Sequence, residues 1–209
     1  MDLALAATVF LTIFVVELPD KTFIATLVLA TRYRPVLVWV GVVLAFFVQT
    51  VVAVAFGGLI NRLPETPVHV LVAALFLVAG VLLWRGAGAA DAEEAETEEE
   101  FAEKARADAS GLKAVSTSFL ILFLAEWGDL SQLATAGFVA RQGNPVSVGL
   151  GAFAALALVS GLAALLGRAL LTRIRLSLIR RIGAGVCFLF GLLIVLQLLG
   201  VDLPGWLPV

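Results

Sequence analysis

Two short stretches place carboxylates among residues that exclude water. Phe14 to Phe23 reads FVVELPDKTF, and Phe123 to Gln132 reads FLAEWGDLSQ. In each, a glutamate precedes an aspartate by three positions: Glu17 and Asp20 in the first, Glu126 and Asp129 in the second. Residues i and i+3 share a helix face, so each stretch aims two carboxylates the same way. Two such pairs facing one another, with hydroxyl and backbone oxygens nearby, make a hard all-oxygen site. Ca²⁺ and Mn²⁺ suit such ligands, Mg²⁺ sheds its water reluctantly, and Zn²⁺ or Cu²⁺ would recruit nitrogen or sulfur. The four carboxylates and the ammonium of Lys21 carry a net −3, so a divalent ion leaves −1. Without the ion, burial and mutual repulsion favour proton uptake by the carboxylates as a coupled set. Competition between a metal and protons for one site is the minimum chemistry of an exchanger.

The rest of the chain explains why these acids stand out. Of 209 residues, 61% are hydrophobic and 14% charged, and mean hydropathy is +1.06; a soluble domain is about half apolar and a quarter charged. This composition predicts an all-α integral membrane protein. Of sixteen acidic residues, nine lie between Asp91 and Asp108, and Asp2, Glu65 and Asp202 fall at chain ends or turns. The four that remain are those of the two stretches. Each ionised residue near a bilayer centre costs roughly 2.5–3.5 kcal/mol on insertion scales, so four acids and Lys21 facing lipid would cost roughly 12–17 kcal/mol. Pairing among themselves cannot relieve this, because Lys21 neutralises only one carboxylate. The others must be protonated, hydrated in a cavity or matched by a bound cation.

The elements that must hold these residues are six spans of about 20 apolar residues each, near 3–30, 36–60, 67–85, 114–140, 145–170 and 180–200. The halves repeat. A shift of 109 residues carries Glu17 onto Glu126, Asp20 onto Asp129, Thr22 onto Ser131, Thr26 onto Thr135 and Arg32 onto Arg141; one residue more carries Gly41 onto Gly151 and Thr50 onto Ser160. Three spans per half is an odd number, so the second copy enters the membrane from the opposite side, giving two inverted three-helix repeats with the site between them. The expected division is a first repeat at 1–86, an acidic linker at 87–112 and a second repeat at 113–209. The linker reads as a solvated helix or flexible spacer, with Glu100 four residues before Lys104. Eleven of the fourteen basic residues fall on the linker's side, against Arg62 and Arg141 opposite. The positive-inside rule puts the linker in the cytoplasm and both termini outside a plasma membrane.

Local chemistry refines the picture. Pro19 lacks an amide proton and should kink the first span, and Gly128 permits close backbone approach at the corresponding place. Thr22, Ser131 and Gln132 supply further polar atoms within two turns. Cys187, the only cysteine, reads as packing, and His69, the only histidine, as the start of a helix at the interface. The N-terminal run lacks a basic region and reads as the first span rather than a signal peptide.

The paired motifs resemble the E-x-G-D-(K/R)-(S/T) signature of the family that includes the Golgi calcium/manganese transporter and bacterial manganese exporters, a family similar in build to the lysine-exporter superfamily. The resemblance covers essentially the whole chain. It implies cation/proton exchange with Glu17, Asp20, Glu126 and Asp129 as binding residues, Mn²⁺ or Ca²⁺ as cargo and no cofactor. Two positions depart from the pattern: Pro19 replaces glycine, and Leu130 replaces the basic residue, leaving Lys21 as the only intramembrane cation. The leading expectation is a divalent-cation exporter coupled to protons. An exporter of amino acids or small cationic solutes is the alternative, and a membrane subunit using its acids only for assembly is a third class. No nucleophile–base pair supports an enzyme, and the basic residues lie where topology alone puts them, not where nucleic acid would. A homodimer and a monomer fit the sequence equally.

Overall fold

The computed structural model describes residues 1–18, 21–105, 111–171 and 176–201. Among these residues the regular structure is entirely helical: α1 Leu3–Glu17, α2 Lys21–Arg32, α3 Pro35–Ile60, α4 Glu65–Gly86, α5 Ala90–Lys104, α6 Leu112–Ala125, α7 Leu130–Gln142, α8 Pro145–Leu171 and α9 Leu176–Leu198. In α3, α4, α8 and α9 there are apolar stretches long enough to cross a bilayer unbroken. Two further crossings arise if each bent pair, α1 with α2 and α6 with α7, counts as one span; both pairs bend by 70°. The chain is a multi-pass membrane protein.

Local chemistry sets the boundaries. Asp2 caps α1, its carboxylate accepting from the Leu5 amide at 3.0 Å, and its own amide donates to Ser147 Oγ at 2.8 Å, tying the chain start to α8. Proline opens both α3 and α8, where the ring's missing N–H is one the first turn leaves unpaired anyway. Gly143, at φ +59°, ends α7 in a left-handed cap and returns its amide to the Val139 carbonyl.

The packing crosses between the halves. Helix α1 lies against α8 and α6 against α3; α2 lies against α8 and α7 against α3; α4 and α9 meet each other. Two sets of close approaches also come in matched pairs. A Cβ on Gly41 would fall well inside 3.0 Å of the Val115 carbonyl oxygen, and one on Gly151 would do the same at the Ala6 carbonyl. A Cβ on Gly80 would strike the Phe188 ring, and one on Gly191 the Leu77 side chain. With no hydrophobic drive between helices in lipid, close backbone approach at small residues is what holds such helices together.

The acidic segment is more than a spacer. Helix α5 packs against α2 and α9, with Thr97, Phe101 and Ala105 buried at four-residue spacing and Glu96, Glu99, Glu100 and Glu103 exposed. One large apolar side chain per turn pair was enough to give the helix a docking face that its composition hides. The Glu100–Lys104 pair forms as the spacing predicts, at 2.6 Å. Its hydrogen bond and charge, joined by the more distant charge of Lys21, hold the Glu100 carboxyl below the ordinary carboxylate range. Cys187 is buried among apolar neighbours, as expected.

Candidate cation site

The two bends fall at the two acidic motifs. Helix α1 ends at Glu17 with Leu18 as its cap, and α2 resumes at Lys21. Helix α6 ends at Ala125, Glu126 takes the cap position, residues 126–128 form a turn, and Asp129 opens α7. Both glutamates are thus at broken helix ends, where the last carbonyls have no partner in their own ladder. Pro19 and Asp20 lie outside the described residues.

One carboxylate oxygen from each of Glu17, Glu126 and Asp129 falls within 4.8 Å of the other two. Glu17 is fully buried and Glu126 is 5% exposed, while Asp129 is half-buried. The two halves of the chain therefore meet at their acids. The i, i+3 helix-face argument does not describe the second pair, because the backbone from 126 to 129 is not helical. Gly128 turns it there, at φ +79°.

Asp129 is the most fully explained member. As N-cap of α7 it accepts from the Gln132 amide at 3.0 Å and from Ser131 Oγ at 2.7 Å. Gln132 also closes the turn. Its Nε2 donates to the Glu126 carbonyl at 2.5 Å, and its Oε1 accepts from the Gly128 amide at 3.2 Å. Thr135 bonds back to the Ser131 carbonyl at 2.7 Å. Thr22 and Thr26 are buried in the first turns of α2, and their hydroxyls have no hydrogen-bond partner among the described residues. Lys21 opens α2 with an exposed side chain. His69 sits in the first turns of α4, as its sequence context predicts, and lines a cavity of about 480 Å³ with Asn61, Arg141 and Gln197.

Gly128 carries a direct test. An added Cβ would meet nothing within 4 Å, so Gly128→Ala acts through backbone strain alone. A left-handed conformation costs an ordinary residue roughly 1–2 kcal/mol. The variant is expected to melt a few degrees lower in detergent, a shift that thermal unfolding by tryptophan fluorescence checks.

Gln49 is the participant that sequence reasoning passed over. It is 2% exposed at the middle of α3 and donates from Nε2 to the Phe123 carbonyl at 3.1 Å. The signal was present, since Gln49 is the only amide side chain in that 26-residue apolar helix.

The sequence matches the family described as divalent cation/proton antiporter GDT1 over residues 5–91 and 114–201. A GDT1-like protein of Synechocystis sp. is 35% identical over 86% of this chain and 91% of its own length. GDT1-like protein 5 of Arabidopsis thaliana is 30% identical over 86% of this chain and 90% of its own. The chloroplastic PAM71-homolog of Arabidopsis thaliana is 29% identical over 87% of this chain, which spans 56% of that longer protein. No solved structure matches. The chain belongs to the GDT1 family of divalent cation/proton antiporters, whose members are transporters and not enzymes.

Proposed function

We propose that this protein exports a divalent cation, Mn²⁺ or Ca²⁺, in exchange for protons at a mid-membrane site made of Glu17, Asp20, Glu126 and Asp129. The observation that carries the reading is the meeting of carboxylate oxygens from both halves within 4.8 Å, a spacing at which one ion can touch all three residues. The reading adds the hydroxyl oxygens of Thr22 and Ser131, giving a hard ligand set without nitrogen or sulfur. The reading takes these groups from one chain and assigns no cofactor. The cations are cargo.

The cycle follows from charge. An empty site of several carboxylates repels itself and takes up protons; a divalent ion displaces them, and each bound state is less costly to bury than the empty one. The reading also takes residues 1–86 and 113–209 as inverted repeats that rock against each other, with residues 87–112 joining them. The reciprocal glycine contacts support it, as does a family match that breaks between residues 91 and 114. A cytoplasmic linker in a plasma membrane, with both termini outside, completes the proposal from the distribution of Lys and Arg.

Proteoliposomes enclosing a pH dye provide the test. Mn²⁺ and then Ca²⁺ are expected to drive proton movement, with Mg²⁺ and Na⁺ far weaker. The KM for Mn²⁺ should rise as the loading side is acidified, because protonated carboxylates cannot ligate the metal. Proton movement driven by a cationic amino acid and by none of these ions would overturn the reading.

A further inference from the structure

The two halves break their helices at matching places but satisfy the broken ends differently. Phe14 and Phe123 correspond under the 109-residue shift, and each carbonyl lies three residues before the motif glutamate. In the first half, the Phe14 carbonyl keeps an ordinary helical partner, the Leu18 amide, at 3.1 Å. In the second half α6 has ended, and the Phe123 carbonyl accepts from Gln49 Nε2 instead. The position matching Gln49 in the second repeat is Val159, one residue before Ser160 as Gln49 is one before Thr50. The brace therefore exists once.

An amide in the middle of an apolar helix is a costly residue to bury unless it is used. Apart from Gln49 and Thr50, α3 offers no hydrogen-bonding side chain except its one tryptophan, near its start. The single hydrogen bond Gln49 makes among the described residues is to the Phe123 carbonyl, three residues before Glu126. Helix α3 also presses on α6 through Gly41, whose backbone meets Val115 with no room for a Cβ. The far end of α6 is thus pinned by backbone contact, and the near end by the Gln49 amide. Gln132 holds the other side of the same break through the Glu126 carbonyl and the Gly128 amide. Between them the two glutamines fix the backbone on both sides of Glu126.

We infer that Gln49 is a positioning residue of the cation site: its side-chain amide stands in for the helix amide missing after α6 and thereby sets where the Glu126 carboxylate meets Glu17 and Asp129. The inference rests on the carboxylate-site reading above. It ties the Glu126 end of the site, in the second half, to α3 of the first half.

Steady-state exchange in proteoliposomes tests it with three variants. Gln49→Leu keeps the bulk and removes the donor. It is expected to raise the KM for Mn²⁺ about tenfold, the equivalent of one net hydrogen bond, with the maximal rate per folded transporter changed far less. Gln49→Asn keeps an amide that is one methylene short, and should fall between Gln49→Leu and the unmodified protein. A role in stability alone would instead lower the yield of folded protein and leave the KM where it was. If Gln49→Leu does not fold, Gln49→Asn decides on the same readout. Glu126→Gln separates the two levels of the argument. An inactive Glu126→Gln beside an unchanged KM in the Gln49 variants overturns the positioning role and spares the site; an active Glu126→Gln overturns the site itself.

Discussion

Asp129→Asn is expected to leave the fold standing and to abolish metal-driven proton movement, with at least a fiftyfold loss against the unmodified protein as the threshold (about 2.3 kcal/mol of lost stabilisation). The structural half of this expectation comes from the cap. Asp129 receives the Gln132 amide and the Ser131 hydroxyl, and asparagine caps helices as well as aspartate does. Its side-chain oxygen can keep the amide bond while its charge is gone, so α7 should still start at Leu130. The functional half comes from the ligand set. If the proposed site is right, removing one anion removes a direct ligand and part of the countercharge together. Asp129→Ala makes the useful contrast. It loses exchange and the cap as well, a further ~1 kcal/mol, so it should melt lower than Asp129→Asn at equal inactivity. Thermal unfolding in detergent and proteoliposome flux, measured on both variants, separate the two jobs. Wild-type flux from a well-folded Asp129→Asn would remove Asp129 from the site.

How much of this could be read from the chain depends on which physical signal wrote it. The four unbroken spans were legible because lipid demands long apolar runs, and the boundaries at Pro35 and Pro145 follow from proline's fit to a first helical turn. The acids were legible because so few charges occur in apolar segments that each one present needs a reason. The way they meet was not. Same-face spacing on a straight helix is a local rule, and it fails at Glu126 and Asp129, where a positive-φ glycine replaces the helix with a turn. The acids converge across a broken helix whose carbonyls and amides are taken by glutamine side chains, one of them from another element. That partner, Gln49, is 74 residues from Phe123, and no local pattern joins them. The docking of α5 was hidden for the opposite reason. Its glutamates dominate the composition, while the docking face rests on Thr97, Phe101 and Ala105.

Gly41→Ala and Gly151→Ala are expected to be strongly destabilising, and to damage the protein alike. At both positions the obstacle is a backbone carbonyl of another helix, Val115 for Gly41 and Ala6 for Gly151, with the new carbon well inside 3.0 Å. A side chain in the way could rotate. A helix carbonyl is fixed by its own hydrogen-bond ladder, so α3 must move off α6, or α8 off α1, along the whole line of contact. Overpacking of ordinary sites costs about 1–3 kcal/mol, and these two sites belong at or above the upper end. Gly80→Ala and Gly191→Ala are the internal controls. Their nearest atoms are the Phe188 ring and the end of the Leu77 side chain, which can yield, so their melting points should fall by clearly less. The matched pair tests more than packing. If the halves are copies arranged about a common axis, the damage at Gly41 and Gly151 should agree within roughly 1 kcal/mol, because the same contact is broken twice. A severe loss at one and indifference at the other, read by thermal unfolding of the purified variants, would mean that the two close approaches arose separately and that α1·α8 and α3·α6 are not equivalent joints.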